Sequence, residues 1–176
     1  MLEIYSKELV TRGVETRRHD TPNFIKQFQT ELLHILFECD NIAGIYEKTL
    51  EEALFSLTRT IDKVMIGEIE LQDLVISKQL RMNIHNYRNI FPHVAAAIQL
   101  SSNERVSKGN NIEYVYTDSQ HQNPLSRVIP AEFIRNNDKL DYDKEKYKEM
   151  LLDAAESILG IFGFDRTLFG KPGDKK

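Results

Sequence analysis

The sequence has a single cysteine, no tryptophan and no long hydrophobic run. One cysteine, Cys39, excludes an internal disulfide framework, and its apolar helical surroundings indicate a small buried residue in a reducing compartment. A membrane-spanning helix needs roughly 18–20 consecutive apolar residues, and no run here approaches that length. Residues 1–5 have the pattern of neither a signal peptide nor a transit peptide. We therefore expect a cytoplasmic protein without a membrane partner.

Motifs for catalysis and metal binding are also scarce. The eight glycines form no glycine-rich phosphate loop, and Cys39 has no obvious catalytic partner in the sequence. Asp138, Asp141 and Asp143 lack the glycine and the terminal glutamate of a calcium loop, so an acidic helix N-terminus explains them better. No HExxH or cysteine–histidine spacing links the histidines, which are His19, His34, His85, His93 and His121. The sequence therefore predicts no active site of its own, no bound cofactor and no metal site.

Charge is low in total but segregated along the chain. The net charge is −4 and the pI is near 5.8, which argues mildly against a dedicated nucleic-acid-binding protein. Residues 41–73 carry seven acids against three bases, a net charge of −4, whereas residues 74–109 carry five bases against one acid, a net charge of +4. His85 and His93 lie in the second stretch. Such a chain can present one positive face despite its acidic total.

Helices account for most of the predicted structure. The 176 residues, 41% of them hydrophobic, suit one domain or two small lobes with a substantial core. Apolar residues recur at helical spacing from Pro22 to about Glu38, with Pro22 at the first helical position behind Asp20 or Thr21. A second helix is predicted for residues 49–65, and Gly67 is its expected stop. A later helix is predicted for residues 143–162, and others begin at Phe91–Pro92 and after Pro130.

Short strands are predicted between these helices. Residues 74–80 begin with an apolar, β-branched stretch, and residues 111–116 alternate as a half-buried strand does. In the second strand, Ile112, Tyr114 and Tyr116 would face one side, and Val115 would share the other side with polar residues. Residues 2–14 give only a weak strand pattern. The predicted fold class is α+β and mainly α-helical.

A first basic segment lies at residues 12–20. It holds Arg12, Arg17 and Arg18 close to Gly13 and just before the first predicted helix. The planar guanidinium offers paired donors that match phosphate oxygens, and glycine lets a backbone approach a ligand closely. A solvated, charged strand end is the alternative interpretation of the same residues.

A second basic segment covers residues 78–93. Lys78, Arg81 and Arg88 recur every few residues beside Tyr87, which suits contact with a sugar–phosphate backbone. His93 follows Pro92 in the first turn of a helix, where it could donate to a phosphate together with free backbone N–H groups. A solvated connector is the alternative for the segment, and a structural role is the alternative for the histidine.

Six strings in order resemble the thumb of family B DNA polymerases, most of all the archaeal branch. Residues 10–20 resemble the "RGxExxRRD" string at the palm–thumb junction of that family, and residues 91–95 resemble its "PHVA" string. The remaining matches are residues 74–80, residues 108–114, the "R…PAE" string at 127–133, and residues 141–164 of the closing helix. The resemblance covers almost the whole chain.

The resemblance implies an architecture and a function. Residues 1–20 would form the palm–thumb junction, residues 21–168 a thumb-like helical domain with small β elements, and residues 169–176 a disordered tail. The thumb would grip primer–template duplex DNA during template-directed synthesis by a DNA-directed DNA polymerase. Arg12, Arg17, Arg18, Lys78, Arg81, Tyr87, Arg88 and His93 are the expected DNA-binding residues, and His93 and Tyr87 are the only aromatic members of that set.

The resemblance also implies what lies on another chain. The catalytic aspartates of the family come before the matched region, so this chain alone should be inactive, and Mg²⁺ is expected on a large catalytic partner with palm, fingers and exonuclease. Residues 2–10 would be an extended segment that completes the palm of that partner in an obligate heterodimer. The small subunit of a split polymerase is one interpretation, and an isolated thumb is the second.

Two other classes of function remain open from the sequence. A non-enzymatic helical adaptor could bind a protein through the acidic helix at residues 47–62 and would bind no DNA. A stand-alone DNA-binding protein would bind duplex tightly by itself, with a steep salt dependence.

Overall fold

The computed structural model describes residues 20–38, 42–101, 106–134 and 140–169. Several sequence predictions fall outside these ranges: the arginines Arg12, Arg17 and Arg18, the environment of Cys39, and the extended segment at residues 2–10. Within the described ranges, no helix combines the length and the apolar character that crossing a membrane requires.

Helix α1 covers Asn23–Leu36 and was expected from the spacing of its apolar residues. Phe24, Ile25, Phe28 and Leu32 recur every three or four positions and are almost fully buried. Pro22 lies one residue before the helix instead of at its first position. Its backbone is extended, and its carbonyl accepts hydrogen bonds from the N–H groups of Ile25 and Lys26. These are the first backbone hydrogen bonds of the helix.

The second predicted helix is longer and less regular than its apolar stripe suggests. It begins with a short helix α2 at Ile42–Gly44, passes through a π-helical turn at Ile45–Thr49, and continues as α3 over Leu50–Ile66. Gly67 ends it with a φ of +88°, and its N–H donates to the carbonyl of Lys63. The predicted glycine stop is therefore confirmed, because the left-handed conformation costs glycine little.

A three-stranded antiparallel sheet occupies the middle of the chain, in the order β1–β2–β3. Strand β1 is Ile76–Gln79, β2 is Asn111–Tyr116 and β3 is Val128–Pro130. Ile76 pairs with Tyr114, and Tyr116 pairs with Val128. The first strand is shorter than predicted because residues 71–74 form a 3₁₀ turn before it.

Central strand β2 buries side chains on both faces. Ile112 and Tyr114 are buried as predicted, but Val115 is also fully buried, whereas Tyr116 is only partly covered. The expected alternation fails at Val115 because helix α4, Pro92–Leu100, packs across β2 and β3 while other elements cover the opposite face. A short helix α5, Ala131–Ile134, follows Pro130 as predicted.

Helix α6, Lys144–Leu159, begins at an aspartate cap and closes the core. Oδ1 of Asp143 accepts from the N–H of Lys146 at 2.9 Å, and its Oδ2 accepts from the N–H of Ser119 at 2.6 Å. Asp143 thereby satisfies the helix start, as the acidic cluster suggested, and ties it to the β2–β3 loop. The helix ends earlier than predicted, at Leu159, because residues 160–162 tighten into a 3₁₀ turn.

A buried tyrosine joins the helices to the sheet. The Tyr147 hydroxyl donates to the carbonyl of Leu74 at 2.9 Å and accepts from the N–H of Tyr116 at 3.1 Å. Its ring meets Phe24 and Tyr142 edge to face. Burial raises the pKa of Tyr147 above its ordinary value, because an ionised phenol would be desolvated there. Helix α6, strand β2 and the turn before β1 are thus connected through one side chain.

The folded part of the chain reaches Phe169, the first residue of the predicted tail. Phe169 ends a 3₁₀ turn at Arg166–Phe169, and its ring lies 5.8 Å from that of Phe164. Residues 170–176, the rest of that predicted tail, lie outside the described ranges.

Candidate nucleic-acid interface

Hydrogen bonds bring the segments that carry four exposed basic residues to one end of the sheet. The N–H of Leu80 donates to the carbonyl of Asn110 at 2.9 Å, and the N–H of Gly109 donates back to the carbonyl of Leu80 at 2.8 Å. These bonds join the residue after β1 to the two residues before β2, and Gly109 has a φ of +95°. We call this region the basic corner; its charged members are Lys78, Arg81, Arg88 and Lys108.

Tyr87 fixes the loop that carries Arg81. Its hydroxyl oxygen accepts from the backbone N–H of Arg81 at 2.8 Å and from that of Met82 at 3.3 Å. On the opposite side of the loop, Oδ1 of Asn83 accepts from the N–H of Lys108 at 3.1 Å. The backbone positions of two basic residues are therefore set by neutral side chains, which leaves both charged groups pointing to solvent.

His93 lies under this loop instead of on its surface. It is in the first turn of α4 and is only 7% exposed. Its ring stacks on Phe91 with a centroid distance of 6.0 Å and meets Tyr87 edge to face at 5.8 Å. Burial lowers the pKa of His93, and the charges of Lys78 and Arg81 lower it further, which favours the neutral ring. Its clearest role is to support the two aromatic rings; direct contact with a phosphate stays a prediction.

The segment that carries Lys78, Arg81 and Arg88 has charges of one sign. The sequence from Leu74 to Ser101 contains no aspartate or glutamate. The ion pairs among the described residues join other parts of the chain, for example Arg59 with Glu31 and Lys146 with Glu149. The exposed cations of the corner thus keep their charge available for an anionic ligand, as sugar–phosphate binding requires.

An open groove of about 850 Å³ runs beside the basic corner. Its apolar wall includes Ile90 and Val94, and its polar wall includes Asn83, His85 and Ser107. A mixed wall of this kind can contact both the sugar and the base parts of a nucleic acid.

The structure brings together most of the predicted second segment. Lys78, Arg81, Tyr87 and His93 meet at the corner, and Arg88 is exposed next to Tyr87. Arg12, Arg17 and Arg18, the other predicted contacts, lie outside the described residues.

Three residues of the corner were not predicted as site residues. Lys108 comes to the corner only because β1 and β2 pair in this register, and the register cannot be deduced from the sequence. Asn83 acts through its side-chain oxygen, and Phe91 was noted only as the start of a helix and of the string at residues 91–95. The Lys108–Gly109 pair was the one usable signal, because a glycine after a lysine indicates a turn that presents the charge.

Carboxylates and other metal ligands are not clustered in the part of the chain that the structure describes. No group of three or more histidine, cysteine, aspartate or glutamate side chains there could hold a metal ion. The corner can therefore hold an anion, but the described residues offer no site for a catalytic cation.

Comparison with known proteins identifies the family. The sequence model of the family described as DNA polymerase family B matches residues 3–161. The chain belongs to DNA polymerase family B. A DNA polymerase of Pyrococcus glycovorans is 30% identical over 161 residues, which are 89% of this chain and 19% of that protein. A DNA polymerase of Pyrococcus horikoshii is 31% identical over 163 residues, which are 90% of this chain and 12% of that protein.

A solved structure supports the fold. The family B DNA polymerase of Pyrobaculum calidifontis matches with a TM-score of 0.68 and 22% identity, over 83% of this chain and 18% of that chain. The family B resemblance of the sequence and the α+β, mainly helical fold class are thus confirmed. This family B chain spans about a fifth or less of the length of these relatives.

Proposed function

We propose that this chain is the thumb part of a family B DNA-directed DNA polymerase, and that it grips primer–template duplex DNA for a catalytic chain. One observation carries the proposal. Four exposed cations converge on a corner whose loop is fixed by Tyr87, and three of them, Lys78, Arg81 and Arg88, lie in a stretch of sequence that contains no carboxylate. Membership of family B supplies the reaction that such a grip would serve.

The residue types suit a grip that does not depend on base sequence. Lys78, Arg81, Arg88 and Lys108 would contact phosphates, which carry no sequence information. Tyr87 would fix the backbone of Arg81 through the hydrogen bond to its hydroxyl oxygen. A limited number of phosphate contacts keeps the affinity modest, which lets a polymerase advance one nucleotide per cycle. Correct placement of the primer end also preserves the near-attack geometry on which the chemical step depends.

The boundaries of the proposed thumb follow the resemblance. Residues 1–20 would form the palm–thumb junction, with Arg12, Arg17 and Arg18 either on phosphates or against the palm. Residues 21–168 would form the thumb itself. Residues 2–10 would pair with a large catalytic subunit that also carries the fingers and the exonuclease.

Nucleotidyl transfer would take place on that catalytic partner. Mg²⁺ would there stabilise the charge of the transferred phosphoryl group, and the described residues of this chain include no carboxylate cluster that fits such an ion. The chain alone is therefore expected to be inactive in primer extension. A complex of this kind would act inside the cell, in association with the chromosome.

Primer extension by a reconstituted pair tests the proposal. The chain would be mixed with a palm-bearing family B polymerase chain that lacks its thumb, and extension would be measured on several templates. We expect no extension from this chain alone and processive extension from the pair. Lys78→Ala with Arg81→Ala should lower processivity by a similar factor on every template, and Arg17→Ala with Arg18→Ala should do the same.

Matched controls use exposed basic residues away from the corner. Lys48→Ala with Lys63→Ala removes the same number of charges from the acidic half of the chain, where both side chains are exposed. This control should extend primers as the wild-type chain does. Equal processivity of the corner and control variants, or no gain from adding the chain, would overturn the proposal.

A helical adaptor is the second candidate, and one observation favours it. Phe55 is 68% exposed on α3, close in sequence to the exposed Glu51 and Glu52. An aromatic ring beside carboxylates is a plausible protein contact. An adaptor would capture a protein through this face and would leave primer extension unchanged, whereas a stand-alone DNA-binding protein would bind duplex tightly without any partner.

A further inference from the structure

Phe91 is an exposed aromatic ring beside Tyr87 and His93 at the basic corner. It immediately precedes helix α4, and 48% of its surface remains exposed. Burying a phenylalanine is worth roughly 1.5–3 kcal/mol, so a half-exposed ring gives up part of that stabilisation. The described structure therefore leaves a large apolar surface open where the surrounding side chains are charged.

The ring is supported from beneath. His93 stacks on Phe91 with an interplanar angle of 15°, and Tyr87 meets it edge to face at 6.5 Å. His93 itself is buried, so it gives the Phe91 ring a fixed neighbour on one side. About half of the Phe91 surface is left exposed. Such a held ring is a flat surface of low entropy cost for a second ring.

The surroundings select an anionic, planar ligand. Met82 and Ile90, which are 42% and 44% exposed, add apolar surface within the same segment. Arg81 and Arg88 add charge, and no carboxylate occurs in this part of the sequence. Alternating cations and exposed rings are the combination that binds single-stranded nucleic acid, because charges hold the backbone while rings stack on bases.

We propose that Phe91 is a stacking platform for an unpaired nucleobase of a DNA strand whose phosphates lie on the basic corner. The inference rests on the proposed function and deepens it, because it adds single-stranded DNA to the duplex as a ligand. Inside a duplex both faces of each base are covered by neighbours, so an unpaired base can lie on the ring whereas an internal base pair cannot. Two sources would supply such a base: the single-stranded template ahead of the duplex, and a frayed primer 3′ end.

Binding of labelled DNA to the full chain at low salt tests this inference. The DNAs share one duplex and are blunt, or carry a 5′ overhang or a 3′ overhang, each with either normal bases or abasic residues in the overhang. We expect the wild-type chain to bind one of the normal overhangs about tenfold more tightly than its abasic counterpart. The preferred overhang identifies the source of the base.

Variants at Phe91 separate stacking from simple apolar contact and from loss of fold. Phe91→Ala and Phe91→Leu should abolish the preference for normal over abasic overhangs, whereas Phe91→Trp should keep or increase it. Blunt-duplex affinity should change less than twofold in all three variants. Phe55→Ala, which removes an exposed ring in the acidic half of the chain, is the matched control and should retain the preference.

The outcomes distinguish this inference from the function on which it rests. No binding to any of the DNAs would overturn both. Blunt-duplex binding without a gain from normal bases would overturn only the stacking platform. The stacking platform would also be overturned if Phe91→Leu kept the full preference for normal overhangs, or if it lost affinity for every DNA equally. The ring would then serve apolar packing or a protein partner.

Discussion

At the scale of single residues, Tyr147 shows how much of this fold depends on one hydroxyl group. Its oxygen bonds to the carbonyl of Leu74 and the N–H of Tyr116, which belong to two different parts of the sheet region. Both partners are backbone groups that have lost water through folding. Removal of the hydroxyl would leave them without this partner, and an unsatisfied buried polar group costs more than the net value of a hydrogen bond.

Tyr147→Phe should therefore destabilise the chain by about 1–3 kcal/mol while preserving the ring contacts. Chemical denaturation followed by circular dichroism measures the difference. Tyr46→Phe is the matched control, because Tyr46 is 53% exposed. Removal of its hydroxyl should lower the free energy of unfolding by less than about 0.5 kcal/mol. Equal stability of Tyr147→Phe and the wild-type chain would contradict the role given to the hydroxyl.

Buried tyrosines also predict a loss of stability at alkaline pH. Burial raises the pKa values of Tyr114 and Tyr147 above the ordinary value of 10.0. As pH rises past that value, the unfolded chain loses these protons before the folded chain does. The stability they contribute is thus complete below about pH 10 and falls above it, by up to about 1.4 kcal/mol per pH unit for each tyrosine.

An alkaline titration that records tyrosine ionisation and secondary structure together checks this linkage. Tyr114 and Tyr147 should ionise only together with unfolding, because burial raises the pKa of both. Ionisation of all the tyrosines in one step near pH 10, with secondary structure retained, would be inconsistent with the buried positions.

At the scale of elements, helix ends follow local rules that the sequence states clearly. Gly67 was predicted as a stop because glycine tolerates a left-handed backbone, and its φ is +88°. Gly160 also follows a helix, but its backbone is right-handed with a φ of −57°. The two glycines therefore look alike in sequence and differ in what they require.

Substitution of alanine for each glycine should separate the two cases. Gly67→Ala should destabilise the chain by about 1 kcal/mol, because a Cβ is strained at positive φ. Gly160→Ala should be neutral or stabilising by up to about 1 kcal/mol, since its Cβ would meet only the Glu156 side chain at 3.9 Å. Thermal unfolding measures both. A larger loss at Gly160 than at Gly67 would contradict the backbone assignment.

The sequence predicted most elements and few of their irregularities. Periodic residues such as Phe24, Phe28 and Leu32 indicated α1, and alternation indicated β2, because those patterns follow from the geometry of one element. The π-helical turn before α3 and the burial of Val115 could not be predicted. Both depend on how neighbouring elements cover a residue, which is a tertiary property.

The candidate site was predictable to the same extent. Lys78, Arg81 and Tyr87 are close in sequence, and their spacing indicated a shared surface. Lys108 joins them only through strand register, and the burial of His93 depends on rings from a separate turn. The sequence showed the local charge patterns, but it did not show how deeply each side chain is buried.

At the scale of the whole molecule, segregation of charge gives an acidic chain one basic corner. The net charge is −4, yet residues 74–109 carry +4, and among the described residues the fold collects Lys78, Arg81 and Lys108 at one end of the sheet. An acidic remainder repels DNA from other faces, so the corner would determine how the duplex is oriented. In the proposed complex, this orientation would direct the primer end toward the catalytic partner.

The salt dependence of duplex binding tests the proposed grip most directly. Affinity of the chain for a blunt duplex would be measured over a range of salt concentrations, for the wild type, for Lys78→Ala with Arg81→Ala, and for Lys48→Ala with Lys63→Ala. If Lys78 and Arg81 contact phosphates, their loss should make the slope of log affinity against log salt shallower by about 2, whereas the control should keep the wild-type slope. An unchanged slope in the corner variant, or equal changes in both variants, would contradict the proposed grip.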